Sequence, residues 1–362
     1  MGSEMSFGDI YRGRRVLLTG HTGFKGSWLA AWLEKLGAEL CGISLPPPTA
    51  PNHFDLIRFG GRTCFVDLRD RAALADAVRS FAPEIVFHLA AQALVLPSYE
   101  DPVATFECNV MGTLHLLDAL RGVPQCRAAV IVTSDKCYEN RESGIPFREG
   151  DPLGGADPYS ASKGCAEIAV ASWRRSFLAS PESPLIATAR AGNVVGGGDW
   201  AAHRLIPDLA RAAAAGRTEE LRRPQAVRPF QHVLDPLAGY LELGRRLWSG
   251  DRAAASAWNF GPPAGGELTV ARAAELFAAG WPDVRYRCAE NTAAPPEASL
   301  LRLDTSRAER ELGIRNIWSA ERCFERTARW YRDFYASRTV DTADDLVEFE
   351  TEAARREAPW TR

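Results

Sequence analysis

Residues 14–28, RRVLLTGHTGFKGSW, set the architecture that the rest of the chain follows. They begin as a short apolar run, which is typical of a buried parallel strand, and then turn through glycines at 20, 23 and 26. Apolar residues with helical spacing follow from Phe24 until Gly37 ends the pattern. In such a strand–turn–helix unit, glycines let the backbone approach a pyrophosphate, and the helix N-terminus supplies amide donors. The segment therefore predicts a dinucleotide site.

Apolar runs and helical patterns continue to alternate as far as residue 191. The spacing predicts helices over 70–81, 101–121 and 158–177, each between two short strands. This alternation indicates an α/β fold with a doubly wound parallel sheet, that is, a Rossmann domain. From Asn193 onward glycine, proline and arginine clusters indicate a smaller mixed α/β lobe.

The order of these patterns predicts how the chain is divided. We expect a dinucleotide-binding domain over 1–191, to which segments near 230–262 return, and a substrate lobe over 192–336. The remaining residues, 337–362, are charged and predict a tail that forms a surface helix or frays.

Composition excludes several classes of function. The chain has 43 Lys and Arg residues and 46 Asp and Glu residues, which gives a net charge of −3. We therefore expect no basic surface for binding nucleic acid. No apolar run approaches the roughly 18 residues that span a bilayer, and no signal peptide opens the chain. The eight cysteines form no C-x-x-C pair, and metal-ligand spacing is absent. We expect a cytoplasmic protein with reduced thiols, no metal and no membrane partner.

The predicted cofactor is NAD, with NADP not excluded. Ser44 stands near the end of the second strand, where an acidic residue usually binds the adenosine ribose. Neither an Asp that would favour NAD nor an adjacent Arg that would favour NADP is present there. Asp67 either contacts the adenine edge or caps helix 70–81. The full set of predicted cofactor contacts is Gly20, Thr22, Gly23, Phe24, Lys25, Gly26, Ser44, Asp67, Leu68, Ala90, Ala91, Gln92, Tyr159 and Lys163.

The segment YSASK places Tyr159 and Lys163 one helical turn apart, so both point the same way. A lysine near a phenol lowers the tyrosine pKa toward the working range of a general base. Because ligands of doubly wound sheets lie outside the carboxyl ends of the strands, the strand end VTSDK should share this rim. Ser134, Asp135 and Lys136 are therefore predicted to lie near Tyr159.

Six blocks, in order, carry a resemblance to the extended short-chain dehydrogenase/reductase superfamily. They are GHTGFKGSWL, TSDKCYENRE, DPYSASKGCAE, RAGNVVGGGDW with RLIPD, VRPFQHVLDPLAGYL and WNFGP, and they span roughly residues 14–335. Within the superfamily the blocks resemble the CDP-glucose branch of the sugar-nucleotide 4,6-dehydratases. Related dehydratases have Asp–Glu where this chain has Asp135–Lys136, and the lysine marks the CDP-glucose branch.

The resemblance implies an internal redox reaction that gives a CDP-4-keto-6-deoxyglucose. Tyr159, helped by Ser134, takes the C4 hydroxyl proton as hydride leaves C4 for NAD⁺. A base then removes the C5 proton, Asp135 protonates the departing C6 hydroxyl, and the hydride returns to C6. Lys136 is either the C5 base or a charged group that stabilises the enolate oxygen.

The resemblance also implies the substrate contacts. Asn193 matches a residue that contacts the nucleotide-sugar phosphates, and Arg204 and Arg228 are expected to bind the diphosphate. Trp200 either flanks the sugar or base or packs in the core, and His232 is expected to order its loop. A homodimer or homotetramer is expected through helices 101–121 and 159–178.

At four positions the chain departs from the family pattern. Ala93 and Leu96 replace a usual proline and arginine, Ala156 replaces His or Tyr, and Pro296 replaces a histidine. These departures leave the nucleotide and the sugar open.

Two rival hypotheses remain. A sugar-nucleotide 4-epimerase or ketoreductase needs Tyr159 and Lys163 but not Asp135 and Lys136. A catalytically silent cofactor-binding protein, acting as a redox sensor or scaffold, would be favoured by loss of Tyr159 or Lys163, and both are present.

Overall fold

The structure is a computed structural model that describes residues 6–178, 180, 183–289 and 300–362. The strands are β1 (Arg15–Thr19), β2 (Glu39–Ser44), β3 (Arg62–Phe65), β4 (Ile85–His88), β5 (Ala128–Val132), β6 (Leu185–Ala191), β7 (Val194–Val195), β8 (Thr218–Leu221), β9 (Val227–Arg228), β10 (Gln231–His232), β11 (Ala257–Phe260), β12 (Leu268–Thr269) and β13 (Arg285–Cys288). The helices are α1 (Phe24–Lys35), α2 (His53–Ile57), α3 (Arg71–Phe81), α4 (Val95–Glu100), α5 (Pro102–Phe106), α6 (Gly112–Leu120), α7 (Pro158–Phe177), α8 (Leu205–Ala214), α9 (Leu234–Trp248), α10 (Val270–Gly280), α11 (Ala320–Ser337) and α12 (Thr342–Arg355).

Within the described residues, seven strands form one sheet in the order β3-β2-β1-β4-β5-β6-β11. Every neighbouring pair in this sheet is parallel. The chain moves outward from β1 to β3 on one side and then crosses back to β4 on the other. The strand order therefore reverses between β1 and β4, which places a ligand crevice at the carboxyl ends of these strands. The predicted doubly wound α/β fold is confirmed.

The sheet is covered on both faces, which explains why its strands are apolar throughout rather than alternating. Val16 and Leu18 of β1 pack on one face with Trp28 of α1. Leu17, between them, packs on the other face with Leu74 of α3. Successive side chains of a strand point to opposite faces, so a strand buried on both sides has no polar face to show.

The predicted helix over 101–121 is present, but its hydrogen bonding changes in the middle. Residues Glu107–Met111 form a π turn between α5 and α6. Gly112 follows directly, and a Cβ there would lie 2.7 Å from Cβ of Leu68, so this helix approaches the chain after β3 closely. π turns within α-helices are frequent at functional sites. This one turns Asn109 inward, where the side chain is buried.

The second lobe is built from pairs of short strands and two packed helices. β7 pairs with β10 and β8 with β13 in parallel, whereas β9 and β12 are antiparallel. Two segments of this half of the chain add to the main sheet: β11 pairs with β6, and α9 packs beneath β5 and β6. Among the described residues, no helix has the length and apolar character needed to cross a membrane.

The charged end of the chain forms α12, and one face of this helix is buried. Phe349 packs edge-on against Trp32 of α1 at 5.7 Å between ring centroids. Glu350 accepts a hydrogen bond from Nε1 of Trp32 at 2.8 Å. Farther along, Trp360 stacks on Phe7 at 5.0 Å. The tail is therefore packed against the first helix rather than frayed.

Candidate active site

The glycine-rich turn between β1 and α1 is shaped by two close approaches. Gly20 has a φ of +78°, and a Cβ there would lie 2.6 Å from the backbone nitrogen of Ala90. A Cβ on Gly26 would lie 2.0 Å from the carbonyl oxygen of Gly20. Neither position has room for a larger residue. The turn can therefore be this tight only with glycine at both places.

The residues around this turn fit a pyrophosphate. Gly23 is the N-cap of α1, and no side chain caps the helix there. The first amides of the helix therefore keep their hydrogen-bonding capacity and the positive end of the helix dipole for an anion. Phe24 begins the helix, and its Cζ lies 3.3 Å from the place where a Cβ on Gly196 would stand.

Ser44 and Asp67 lie at the ends of β2 and β3, where an adenosine would extend. The hydroxyl of Thr22 is 2.9 Å from Oγ of Ser44 and 2.9 Å from the carbonyl oxygen of Leu45. Asp67 pairs with Arg69 at 2.6 Å, and hydrogen bonds from that guanidinium lower the pKa of the carboxyl. Helix α3 is capped by Asp70, which accepts from the amide of Ala73. The helix-cap alternative for Asp67 is therefore wrong.

Beyond β4, the predicted cofactor segment is held by a buried polar network that the sequence reasoning missed. The amide of Ala90 donates to Oγ1 of Thr19 at 3.2 Å, and Ala91 and Gln92 continue along the rim. The amide of Gln92 donates to Oδ1 of Asn109 at 2.8 Å, and Asn109 donates to Oγ of Ser162 at 2.8 Å. Asn109 thus ties this rim to α7. A buried asparagine within an apolar helical run is the signal that could have revealed it.

Leu68 lies at the same edge of the sheet, where its side chain is buried and its carbonyl oxygen is 2.9 Å from Nδ1 of His115. Leu68 therefore joins the chain after β3 to α6, beside the rim that would receive an adenosine.

Ser134 is the centre of the predicted catalytic group. It caps the short 3₁₀ turn Asp135–Cys137 by accepting the amide of Lys136 at 3.2 Å. Its hydroxyl donates to Oδ1 of Asp135 at 2.9 Å, and Ser134 is also hydrogen-bonded to Tyr159. The structure therefore brings Ser134, Asp135 and Tyr159 into one connected group at the carboxyl end of β5.

Asp135 lies in an environment that favours its protonated form. Burial raises the pKa of its carboxyl, while Lys136, the Ser134 hydrogen bond and the more distant Lys25 and Arg228 lower it less. Among the described residues, Oδ2 of Asp135 is buried without a hydrogen-bond partner. A protonated carboxylic acid has one O–H to donate, and this oxygen is the position from which it would be donated.

Tyr159 and Lys163 are both buried near the start of α7. Burial raises the pKa of Tyr159 to about 12, and the hydrogen bond with Ser134 is the largest opposing effect. Burial lowers the pKa of Lys163 to about 8. Nζ of Lys163 donates to the carbonyl oxygen of Val132 at 3.4 Å. The sequence predicted that Lys163 lowers the pKa of Tyr159; in the structure the largest lowering effect is the hydrogen bond with Ser134, and burial still leaves this pKa raised.

A cavity of about 360 Å³ opens in front of this group, between the sheet and the second lobe. Eight of the predicted site residues line it: Lys25, Ser134, Asp135, Lys136, Tyr159, Asn193, Arg204 and Arg228. Lys25, predicted as a cofactor contact, is also among the residues that line this cavity. Burial lowers its pKa to about 8.

Two predicted substrate residues lie in the core instead. Trp200 is 5% exposed and packs against Trp330 and Phe334, with its Nε1 3.1 Å from the Tyr335 hydroxyl. His232 is fully buried between Trp28 and Trp318. The core-packing alternative for Trp200 is the one that the structure supports, and neither side chain lines the cavity.

The four departures from the family pattern are placed differently. Ala93 and Leu96 line the cavity, whereas Ala156 is not among the lining residues. Pro296 lies outside the described residues. A changed pocket would therefore arise at the segment that includes Ala93 and Leu96.

The chain is similar to known proteins over most of its length. Residues 16–253 match the family described as NAD dependent epimerase/dehydratase. The chain is 42% identical to CDP-glucose 4,6-dehydratase of Salmonella typhimurium, over 90% of this chain and 92% of the relative. Among solved structures, dTDP-glucose 4,6-dehydratase DesIV from Streptomyces venezuelae, with NAD bound, superposes with a TM-score of 0.74 at 26% identity, covering 88% of this chain and 97% of the other. An epimerase from Methanothermobacter thermautotrophicus shares the fold, with a TM-score of 0.78 at 23% identity over 92% and 96%. The chain therefore belongs to the NAD-dependent epimerase/dehydratase family, in the sugar-nucleotide 4,6-dehydratase branch that the Salmonella relative represents.

Proposed function

We propose that the protein converts CDP-glucose to CDP-4-keto-6-deoxyglucose by removing water across C5 and C6, a step in deoxysugar biosynthesis. The observation that carries the proposal is the hydrogen-bonded group of Tyr159, Ser134 and Asp135, with Oδ2 of Asp135 buried and unpartnered among the described residues. An epimerase or a ketoreductase needs the tyrosine but has no use for an acid at this place. A dehydratase needs both.

Tyr159 is the base for the C4 hydroxyl in this proposal. Burial raises the pKa of Tyr159 to about 12, and the hydrogen bond with Ser134 is the largest effect that opposes this rise and so favours the ionised form that a base requires. Lys163, one turn farther along the same helix, donates to the carbonyl oxygen of Val132 at the end of β5. Removal of the proton makes C4 electron-rich and prepares it to lose a hydride.

Asp135 is the acid that protonates the departing C6 hydroxyl. An acid must be protonated at the working pH, and burial raises the pKa of this carboxyl in the required direction. Its Oδ1 accepts a hydrogen bond from Ser134, which leaves Oδ2, buried and without a partner among the described residues, as the oxygen that would carry the proton. The group lies on the same cavity wall as Tyr159.

Lys136 lines the cavity beside Asp135 and acts on the C5–C4 unit. Two roles fit an amine at this place: removal of the C5 proton, or stabilisation of the enolate oxygen by its charge. The pH dependence of C5 proton exchange separates them, because only the first role needs a neutral amine.

The turn residues Gly20, Gly23 and Gly26 would hold the pyrophosphate of NAD, and Ser44 with Thr22 would lie beside the adenosine ribose. NAD, when bound, supplies the reversible oxidation: it accepts a hydride from the sugar and later gives it back. The residues do the rest, because they orient the sugar, exclude water and move protons.

The diphosphate of the substrate would lie against the second lobe. Arg204 and Arg228 line the cavity there with Asn193. Arg204 also pairs with Asp199 at 2.9 Å, which fixes the direction of its guanidinium. Two guanidinium groups can bind phosphate oxygens through paired N–H donors.

We also propose a cytoplasmic homodimer or homotetramer. Val103, Met111 and Ile168 are large apolar side chains that are 66%, 45% and 56% exposed on the helices that run beside each other from α5 to α7. Such a face on a single chain is a candidate for contact with a second copy. Sedimentation of the purified protein would give the number of copies.

The test is incubation of the purified protein, supplied with NAD, with CDP-glucose that carries deuterium at C4. We expect loss of one water and retention of the deuterium, which moves to C6 of the same molecule. An epimerase would return a product of unchanged mass. Loss of the label to solvent would contradict internal transfer, and Tyr159→Phe serves as the inactive control.

The second candidate is a 4,6-dehydratase for a different nucleotide sugar. Ala93 and Leu96 line the cavity where the family pattern has proline and arginine, so one charge and one rigid residue are absent from this wall. UDP-, GDP- and dTDP-glucose should be assayed in parallel. Water loss from one of these, without loss from CDP-glucose, would favour this candidate.

A further inference from the structure

Behind the catalytic group lies a buried polar cluster that the proposed mechanism does not use. Its centre is an ion pair between Glu167 and Arg190, with 2.8 Å between Oε2 and Nη2 and with side chains only 1% and 4% exposed. Glu167 lies on α7, one turn after Lys163 and two turns after Tyr159. Arg190 lies on β6, which pairs with β5, the strand that leads to Ser134.

The ion pair holds both ends of the catalytic segment. Thr133, immediately before Ser134, donates its hydroxyl to Oε1 of Glu167. Tyr138, directly after the 3₁₀ turn, is held at its hydroxyl by Nη1 of Arg190 at 2.7 Å. The Arg190 guanidinium also lies over the Tyr138 ring, 4.9 Å from the centroid. Residues 134–137 therefore form a short bridge whose two supports converge on one ion pair.

The charge state of the pair supports this geometry. Burial alone would raise the pKa of Glu167, but hydrogen bonds and charge from Arg190, with further bonds from Thr133 and Thr188, outweigh it and lower the pKa. The carboxylate thus stays ionised and keeps all its donors. The Glu167 carboxylate accepts hydrogen bonds from Thr133, directly before the catalytic segment, and from Thr188 and Arg190 on β6. These bonds resist small movements of the segment relative to α7 and β6.

We propose that Thr133, Tyr138, Glu167 and Arg190, here named the loop clamp, are positioning residues that hold the Ser134–Asp135 pair at a fixed place relative to Tyr159. The inference rests on the proposed function, because it assigns the clamp to the step in which Asp135 protonates the leaving hydroxyl. None of the four side chains reacts. Their effect is on orientation, to which proton transfer is sensitive at the scale of about 1 Å.

The main variant is Thr133→Val, which removes one hydrogen bond and keeps both the side-chain volume and the ion pair. Its matched control is Thr188→Val, because Thr188 donates to Oε2 of the same carboxylate at 2.8 Å from β6 and not from the catalytic segment. Both variants remove one hydrogen bond to Glu167, so a loss of stability should occur in both. An effect that occurs only in Thr133→Val therefore reports on the catalytic segment, residues 134–137.

We expect Thr133→Val to lower kcat for water loss by about 10- to 100-fold, while KM for CDP-glucose changes less than about twofold. The fraction of enzyme in which the cofactor stays reduced should rise, because the acid step slows after oxidation. Thr188→Val should stay within about twofold of the wild type in both quantities.

Glu167→Gln is the stronger variant, but it leaves the Arg190 charge buried and without its partner, which is strongly destabilising. Its folding is therefore compared with Asp345→Asn, which breaks the other deeply buried pair with Arg326, in α11 and α12. Tyr138→Phe is the milder alternative at the second support.

The deciding measurement needs no substrate: hydrogen exchange of peptides covering residues 133–138, followed by mass spectrometry. Faster exchange there in Thr133→Val than in Thr188→Val supports the clamp, and equal exchange overturns it. If the wild type removes water from no nucleotide sugar, the proposed function fails, but the exchange result still decides the clamp. If exchange changes and the ratio of water loss to oxidation does not, the catalytic part of the inference is overturned.

Discussion

The hydroxyl of Ser134 donates to Oδ1 of Asp135 at 2.9 Å while the same serine is hydrogen-bonded to Tyr159. The base that begins the proposed reaction and the acid that continues it are thus two hydrogen bonds apart, with Ser134 between them. The Ser134 hydroxyl connects the two groups and fixes their positions relative to each other.

Asp135→Asn should separate oxidation from water loss. Asparagine fits the same space but cannot protonate a leaving hydroxyl, so we expect dehydration to fall by about 10²- to 10⁴-fold. The oxidation at C4 should continue, because Tyr159 and Ser134 are unchanged. Absorbance of the reduced nicotinamide and mass spectrometry of the sugar give the two rates, and full turnover by this variant would exclude the acid role.

Lys25→Met should move the alkaline limb of the pH profile. Lys25 is one of the cations that lower the pKa of Asp135, so its removal lets burial raise that pKa further. Because the acid is active only when protonated, kcat falls as the pH rises through this pKa, and the fall should come at higher pH in the variant. The pH dependence of kcat is measured at saturating NAD. The control variant is Lys35→Met, because Lys35 is exposed on the surface. An unshifted limb would contradict the coupling.

Gly23→Ala should weaken cofactor binding without unfolding the chain. A Cβ at this position meets only the Gly20 carbonyl oxygen, at an ordinary 3.4 Å, whereas at Gly26 it would clash at 2.0 Å. The methyl group would however stand where the backbone must approach a pyrophosphate, so we expect the Kd for NAD to rise about tenfold or more. Fluorescence titration and thermal melting check the two parts. Gly26→Ala should instead lower the melting temperature in the absence of NAD.

Asp235→Asn should stabilise the protein, more at pH 8 than at pH 5. Burial raises the pKa of Asp235 from 3.8 to about 7, and Oδ2 has no partner among the described residues, although Oδ1 accepts the Ile317 amide at 2.6 Å. A raised pKa means that stability present at low pH is lost as the pH rises from about 4 through 7. Asparagine avoids this loss and should raise the melting temperature by a few degrees at pH 8. A decrease at pH 8 would show that the charge itself is needed.

Sequence reasoning predicted the parts of the molecule that follow from local pattern. Three features were predicted: the strand–turn–helix at Gly20 to Gly26, the order of strands and helices to residue 191, and the shared rim of Asp135 and Tyr159. All three depend on the periodicity of apolar residues and on parallel topology, which can be recognised in a single sequence. The π turn at Glu107–Met111 was not predicted. In a π turn each amide bonds to the carbonyl five residues earlier instead of four, and so short a change leaves the helical spacing of apolar residues almost intact.

The misplacements have a different cause. Trp200 and His232 stand within motifs that resemble the family, but their side chains point into an aromatic core whose other members come from α1 and α11, far away in the chain. The partners of Glu167 were equally hidden, since Thr133 and Arg190 are more than 20 residues away from it. Contacts of this kind depend on tertiary packing, which no local pattern records.

The packing of the chain's end on its beginning has a consequence for synthesis. Trp360 and Phe349 complete the apolar environment of Trp32, and the amide of Gly8 donates to the carbonyl oxygen of Arg362 at 2.9 Å. Domains generally fold as they leave the ribosome, with N-terminal parts first. Here the helix that begins at the dinucleotide turn cannot close its outer core until residues near 360 have emerged. The apolar environment of Trp32 is therefore completed only after residues 349–360 have been synthesised.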